Sequence, residues 1–201
     1  MKVAIIKYNA GNVQSVLYAL QRLGIDAIVT DDAEEIINAD KVIFPGVGNA
    51  GSAMEYLQKN NLDKLIVSLT QPVLGICLGL QLMCKTSEEA NTKCLGIFDV
   101  EVKKFDNSFA DENASIKIPH MGWNTIYELR SPLFSEVKEN AFVYFVHSYY
   151  AALSPQTIAK SDYIAPFSAA IQKNNFYGVQ FHTEKSAEAG IQIISNFLNI
   201  V

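Results

Sequence analysis

Between Pro72 and Gln81 the chain reads Pro-Val-Leu-Gly-Ile-Cys-Leu-Gly-Leu-Gln, which sets Cys77 between two glycines where an apolar run gives way to a helical pattern. A side chain on so sharp a strand-to-helix turn is pushed out of the sheet toward solvent, and flanking glycines let neighbouring backbone pass close. A helix beginning at Leu78 directs the positive end of its dipole at the sulfur, favouring the thiolate that attacks an electrophilic carbon. Cys77 is the first candidate nucleophile. Cys84 and Cys94 lack the paired short spacing of a zinc site or disulfide framework and read as small buried apolar residues.

A cysteine nucleophile needs a base for its proton and a third group to orient that base. The chain has three histidines, His120, His147 and His182. Only His182, in Gly-Val-Gln-Phe-His-Thr-Glu-Lys-Ser, has a carboxylate two residues on. On extended backbone these positions project to the same side, so Glu184 is placed to orient the ring and stabilise the imidazolium. An isolated His–Glu pair is commonly a surface pair of little consequence. Here it follows an apolar strand and precedes a helix, the sheet edge where ligands of open α/β folds collect. His120 and His147 have no such companion and read as hydrogen-bonded structural residues or lesser participants.

Acyl transfer also calls for donors to a developing oxyanion. The backbone N–H of Leu78 follows the nucleophile, and the Pro45-Gly46-Val47-Gly48 loop offers a second donor, read as the N–H of Val47. Residues 46–51 match G-x-G-x-x-G by letter, but they follow the third strand, and no acidic residue at the expected distance is well placed at a strand end, so a dinucleotide site is rejected.

The elements that must position these groups alternate in the first half of the chain. Strands are expected at Lys2 to Tyr8, Ala27 to Thr30, Lys41 to Phe44 and in the run leading to Cys77. Helices are expected at Val13 to Leu23, stopped by Gly24, near Glu34 to Asn38, and over Ala50 to Lys59 and Leu62 to Leu69. After Glu89 the pattern is mostly strand-like: Leu95 to Phe105, Thr125 to Tyr127, Phe142 to Val146, Tyr149 to Ala152, Ala169 to Gln172 and Tyr177 to Phe181. A final helix, Ala187 to Ile200, carries Ile191, Ile194, Phe197 and Leu198 on one face. Asp106 to Ser115 is the most polar stretch and reads as an exposed loop. The expected fold is α/β and flavodoxin-like, a mixed, mainly parallel sheet with helices on both faces and an antiparallel extension in the C-terminal half.

With 201 residues, about half of them apolar, the chain suits one domain over 1–201. A net charge of −5 leaves no basic field for nucleic acid or an anionic membrane. No apolar run approaches a bilayer span, and Met1-Lys2 opens directly into a strand pattern without a signal-peptide core. The odd cysteine count suits a reducing compartment, so a cytosolic location is expected. Nothing in these motifs calls for a metal or a cofactor.

Taken together, the Cys77 elbow, the Pro45–Gly48 loop and the segment Gln180 to Ser186 resemble the class I, or triad, glutamine amidotransferases. The segments Tyr8 to Val16, Pro119 to Asn124 and Tyr144 to Tyr150 are similar to the branch whose ammonia is used in histidine synthesis. The resemblance implies that Cys77 attacks the side-chain amide of glutamine, that His182 protonates the leaving ammonia, and that water releases glutamate from the thioester. It places glutamine against Gly46, Gly48 and Leu78, the side chain of Gln81, and Ser148-Tyr149. It also implies a partner, a cyclase subunit built as a (β/α)8 barrel, for which Asn12, Met121, Trp123 and Lys185 are interface candidates; Trp123 reads equally well as a core aromatic.

Two departures from the family stand out. Thr183 replaces the usual proline between histidine and glutamate, leaving a looser turn, and Tyr8-Asn9-Ala10 replaces an Asp-Tyr-Gly entry. The rival readings are an amidotransferase for another acceptor such as anthranilate or aminodeoxychorismate, a cysteine peptidase or esterase on a similar elbow, and a degenerate relative that only binds.

Overall fold

A computed structural model describes residues 1–9, 12–106 and 117–200. Ala10 and Gly11 of the entry loop, and residues 107–115 of the expected polar loop, lie outside them. The first half runs β1 (Val3–Ile6), α1 (Val13–Arg22), β2 (Ala27–Thr30), α2 (Ala33–Ile37), β3 (Lys41–Phe44), α3 (Ala50–Lys59), α4 (Leu62–Ser68), β4 (Val73–Ile76) and α5 (Leu78–Met83). Beyond it come β5 (Thr86–Ser87), β6 (Thr92–Lys93), β7 (Glu101–Lys104), β8 (His120–Ile126), β9 (Ala141–His147), β10 (Tyr149–Ala151), β11 (Thr157–Asp162), β12 (Pro166–Lys173), β13 (Phe176–Val179) and α6 (Ala187–Asn199).

The principal sheet has the order β11-β12-β13-β4-β3-β1-β2. Its five strands from β13 to β2 are mutually parallel, and β12 and β11 add an antiparallel edge. Alternation along the strands divides the core. Val3, Ile5, Ile43, Leu74 and Ile76 face Val16 and Leu20 of α1 and Ile193, Ile194 and Phe197 of α6. Ala4, Ile6, Val42, Phe44 and Val73 face Ile36, Ala53, Leu57, Ile66 and Leu80 from α2 to α5. Burial on both faces is what a doubly covered parallel sheet requires of its near-continuous apolar strands.

Three expectations need correction. The later strands do not all extend the main sheet: β10, β7, β5 and β6 form a separate four-stranded sheet, and β8 and β9 an antiparallel ribbon. The run from Leu95 to Phe105 is strand only at Glu101–Lys104. Its earlier amides are otherwise engaged, with Leu95, Gly96 and Phe98 donating to the carbonyls of Leu82, Cys84 and Met83 at 2.9, 2.8 and 2.9 Å. Those carbonyls at the end of α5 would otherwise lack partners. On α6, Ile193 is buried and Ile191 only half so. A Cβ at Gly190 would lie 1.9 Å from the Thr183 carbonyl oxygen, so the helix is turned to bring this glycine against the Thr183–Lys185 turn. The strand β11 was not foreseen at all.

Candidate active site

Cys77 lies between β4 and α5 with φ 52° and ψ −106°, a conformation costly for any residue with a Cβ. It is held there from both sides. Its N–H donates to the Val179 carbonyl at 2.8 Å, and the Cys77 carbonyl accepts from the Gln81 N–H at 3.2 Å. The turn also needs Gly79, since a Cβ there would sit 1.8 Å from the Phe44 carbonyl oxygen. The sulfur of this strained elbow lies 3.8 Å from the Val146 carbonyl oxygen and 3.7 Å from the Gln180 amide nitrogen.

His182 arrives from the neighbouring parallel strand. Because Ile76 pairs with Val179, the residues following β4 and β13 emerge side by side at one sheet edge. The His182 N–H donates to the Tyr144 carbonyl at 2.9 Å, which ties it to β9. Its Nδ1 lies 2.7 Å from Glu184 Oε1, leaving Nε2 for the sulfur; the two side chains are 3% and 0% exposed. Burial disfavours a charged ring, yet the Cys77 sulfur in hydrogen-bond contact, together with Glu184, outweighs it and raises the His182 pKa to about 10. The threonine at 183 therefore does not displace the carboxylate from the ring.

Asn12, an interface candidate by sequence, turns its amide inward and donates to Glu184 Oε1. Gln180 is a further participant that the sequence reading left without a role. Fully buried, it donates to the sulfur, and its Oε1 accepts from Gln81 Nε2 at 3.1 Å. A polar residue inside the apolar run before His182, at the same i, i+2 spacing as Glu184, was the available signal.

A cavity of about 340 Å³ opens over the sulfur, lined by Val47, Gly48, Leu78, Gln81, Ser148 and Tyr149 among others. Gln81 Nε2 also donates to the Tyr149 carbonyl at 2.8 Å, so the two glutamine-subsite candidates support each other. Gly46 lies beneath, where a Cβ would be 2.2 Å from the Tyr8 hydroxyl, itself a donor to the Pro45 carbonyl at 2.7 Å. The Leu78 N–H is engaged, donating to the Gly46 carbonyl at 3.3 Å. Cys84 and Cys94 stay apart from this chemistry, with burial pushing both thiols up, Cys94 to about 12.

His120 and His147 face each other across the β8–β9 ribbon, both buried. His147 Nδ1 must donate to the Tyr149 carbonyl at 2.8 Å, so its neutral Nε2 accepts from His120 Nδ1 at 3.0 Å. Burial holds both rings neutral, with pKa values lowered to about 3 for His147 and about 4 for His120. The opposite face of the ribbon is open and apolar. Met121, Trp123 and Phe142 are 62%, 52% and 62% exposed, which removes the core reading of Trp123. Trp123 meets Tyr144 edge-on, and Lys185 Nζ sits 5.9 Å from the Tyr144 ring centre.

Among the described residues no helix is long and apolar enough to cross a membrane, and no group of three or more His, Cys, Asp or Glu could hold a metal ion. Residues 4–201 match the family described as glutamine amidotransferase class-I. The chain is 58% identical over 200 residues to the imidazole glycerol phosphate synthase subunit HisH of Bacteroides fragilis, covering all of both chains. It is 43% identical to the protein of the same name from Vibrio parahaemolyticus, covering 99% of this chain and 98% of that one. Among solved structures, a glutamine amidotransferase superposes with a TM-score of 0.73 at 16% identity, covering 98% of this chain and 96% of that one. PurLQS from Thermotoga maritima gives 0.65 at 14%, covering 98% and 97%. At such identities the likeness speaks for the fold alone.

Proposed function

We propose, for a chain that belongs to the class I glutamine amidotransferases, that it is the glutaminase subunit of an imidazole glycerol phosphate synthase. The observation that carries this reading is the alignment of Cys77, His182 and Glu184 beneath a cavity of about 340 Å³, in a chain similar along its whole length to HisH subunits. We take residues 1–201 to be a single amidotransferase domain working in the cytosol.

In the reaction, the Cys77 thiolate adds to the amide carbon of glutamine, and the carbonyl oxygen becomes an oxyanion. His182, carrying the proton, delivers it to the amide nitrogen as the carbon–nitrogen bond breaks, so ammonia leaves and a thioester remains. The ring, now neutral, takes a proton from water as hydroxide adds to the thioester; collapse expels the thiolate and frees glutamate. Glu184 holds the ring in the productive tautomer throughout. Gln81, Ser148 and Tyr149, with Gly46 and Gly48, are our glutamine-binding residues.

The oxyanion would rest on the N–H groups of Leu78 and Val47. In the present geometry the first of these is occupied by the Gly46 carbonyl, which must swing away before the hole is complete. That occupied donor supports a chain that hydrolyses glutamine poorly alone and is stimulated by a partner. Released ammonia is largely protonated at neutral pH, and ammonium is no nucleophile, so delivery through a closed protein path to a (β/α)8-barrel cyclase subunit is favoured. The exposed face of Met121, Trp123 and Phe142, with Lys185 beside it, has the aromatic anchors that stable interfaces need.

Cys77→Ala abolishes glutamine-dependent synthesis by the assembled synthase, while added ammonium salts still sustain the cyclase reaction. An alanine variant that releases ammonia from glutamine at the parental rate overturns the mechanism. Assays of ammonia release also separate this reading from a peptidase or esterase.

A further inference from the structure

We propose that Asn12 is a positioning residue for this relay, a fourth member that acts on the ring through Glu184; the inference rests on the glutaminase reading above. Asn12 precedes α1 in the left-handed conformation, φ 75° and ψ 5°, which asparagine tolerates better than most residues with a side chain. From that place its side chain makes no capping hydrogen bond to the helix. It reaches instead into the site, where Nδ2 donates to Glu184 Oε1 and lies 3.5 Å from His182 Nδ1. The other carboxylate oxygen, Oε2, is buried with no hydrogen-bond partner among the described residues. A fully buried carboxylate is thus supported through one oxygen by two donors, His182 and Asn12.

This arrangement gives Asn12 a definite task. A neutral amide stabilises the anion without competing for its proton, and by fixing the carboxylate plane it keeps the acceptor lone pair aimed at the ring. The ionisable groups facing the pair are His182, with Cys77 beyond it, and His147, which senses the His182 charge. Lys185 reaches over Tyr144 instead.

Asn12→Asp separates positioning from helix capping. Aspartate caps a helix start as well as asparagine does, and the first turn of α1 carries no acidic residue, so a stability role predicts an unchanged or raised melting temperature and parental activity. Positioning predicts a different outcome. The introduced carboxyl faces Glu184 Oε1 with an acceptor where a donor stood, and at neutral pH turnover by the complex with the cyclase subunit falls on the order of a hundredfold. Activity then recovers as the pH is lowered and the two carboxyls come to share a proton, restoring the donor, which the parental enzyme does not do. Asn12→Ala, which removes the donor without adding charge, lowers kcat on the order of tenfold with KM unchanged and no acidic recovery.

N12D with parental turnover and the parental pH profile overturns the proposal. Should N12D lose its fold, N12A at the parental kcat overturns it equally. A parental complex that releases no ammonia from glutamine would overturn the glutaminase reading and this inference together, so the two failures are distinct.

Discussion

His182 is buried, and two neighbours favour its charged form, so the pH dependence of stability has a definite sign. The pKa of the ring is raised from 6.5 to about 10 in the folded chain. Its stabilising contribution is therefore whole below pH 6.5 and is lost as pH rises through about 10. His147 and His120 act oppositely. Lowered to about 3 and about 4, they leave the unfolded chain binding more protons, so stability falls as pH drops below 6.5. Denaturant midpoints are expected to fall on both sides of neutrality. In Glu184→Gln one support of the imidazolium is gone, so the alkaline fall still starts near 6.5 but is smaller and complete at lower pH; a curve that superposes on the parental one would contradict the pairing. The meeting of Cys77, His182 and Glu184 was legible in the sequence because each residue announces itself locally, by flanking glycines or an i, i+2 spacing. Asn12 and Gln180 were not read for their parts, since the first depends on where α1 begins relative to a distant turn and the second on which strands adjoin.

The elements of the first half were legible almost to the residue, because apolar periodicity and caps agree there. Asp32 accepts from the Glu35 N–H at 3.0 Å at the start of α2, and Asn49 from the Ser52 N–H at 3.2 Å at the start of α3. The second half showed most of its strands, β11 excepted, but not their partition into three sheets, which is decided by long-range pairing that alternation alone does not encode. The elbow offers a test of element packing. Gly79→Ala drives a methyl group into the Phe44 carbonyl and is expected to cost about 3 kcal/mol or more, with loss of glutaminase activity. Gly24→Ala, at φ +74° in open space, is expected to cost only about 1 kcal/mol with activity kept. Equal denaturation midpoints for the two variants would remove the argument that backbone contact shapes the nucleophile turn.

For the whole molecule, the open face of the β8–β9 ribbon lies on the same pair of strands whose carbonyls at Tyr144 and Val146 touch His182 and Cys77. Docking there bears directly on the reacting groups. Trp123→Ala is expected to weaken association with the cyclase subunit by about thirtyfold or more, as removal of a central aromatic anchor does, while leaving the slow hydrolysis of the isolated chain unchanged. Titration calorimetry beside ammonia release would decide it, and unaltered affinity would move the interface elsewhere. The pairing of Ile76 with Val179 has a wider consequence. Sulfur and imidazole are brought together by a ladder between adjoining strands, so their separation owes nothing to the contour length of the polypeptide that runs from one to the other. Loops of that intervening stretch that touch neither the ribbon nor the cavity are free to gain or lose residues without altering this separation.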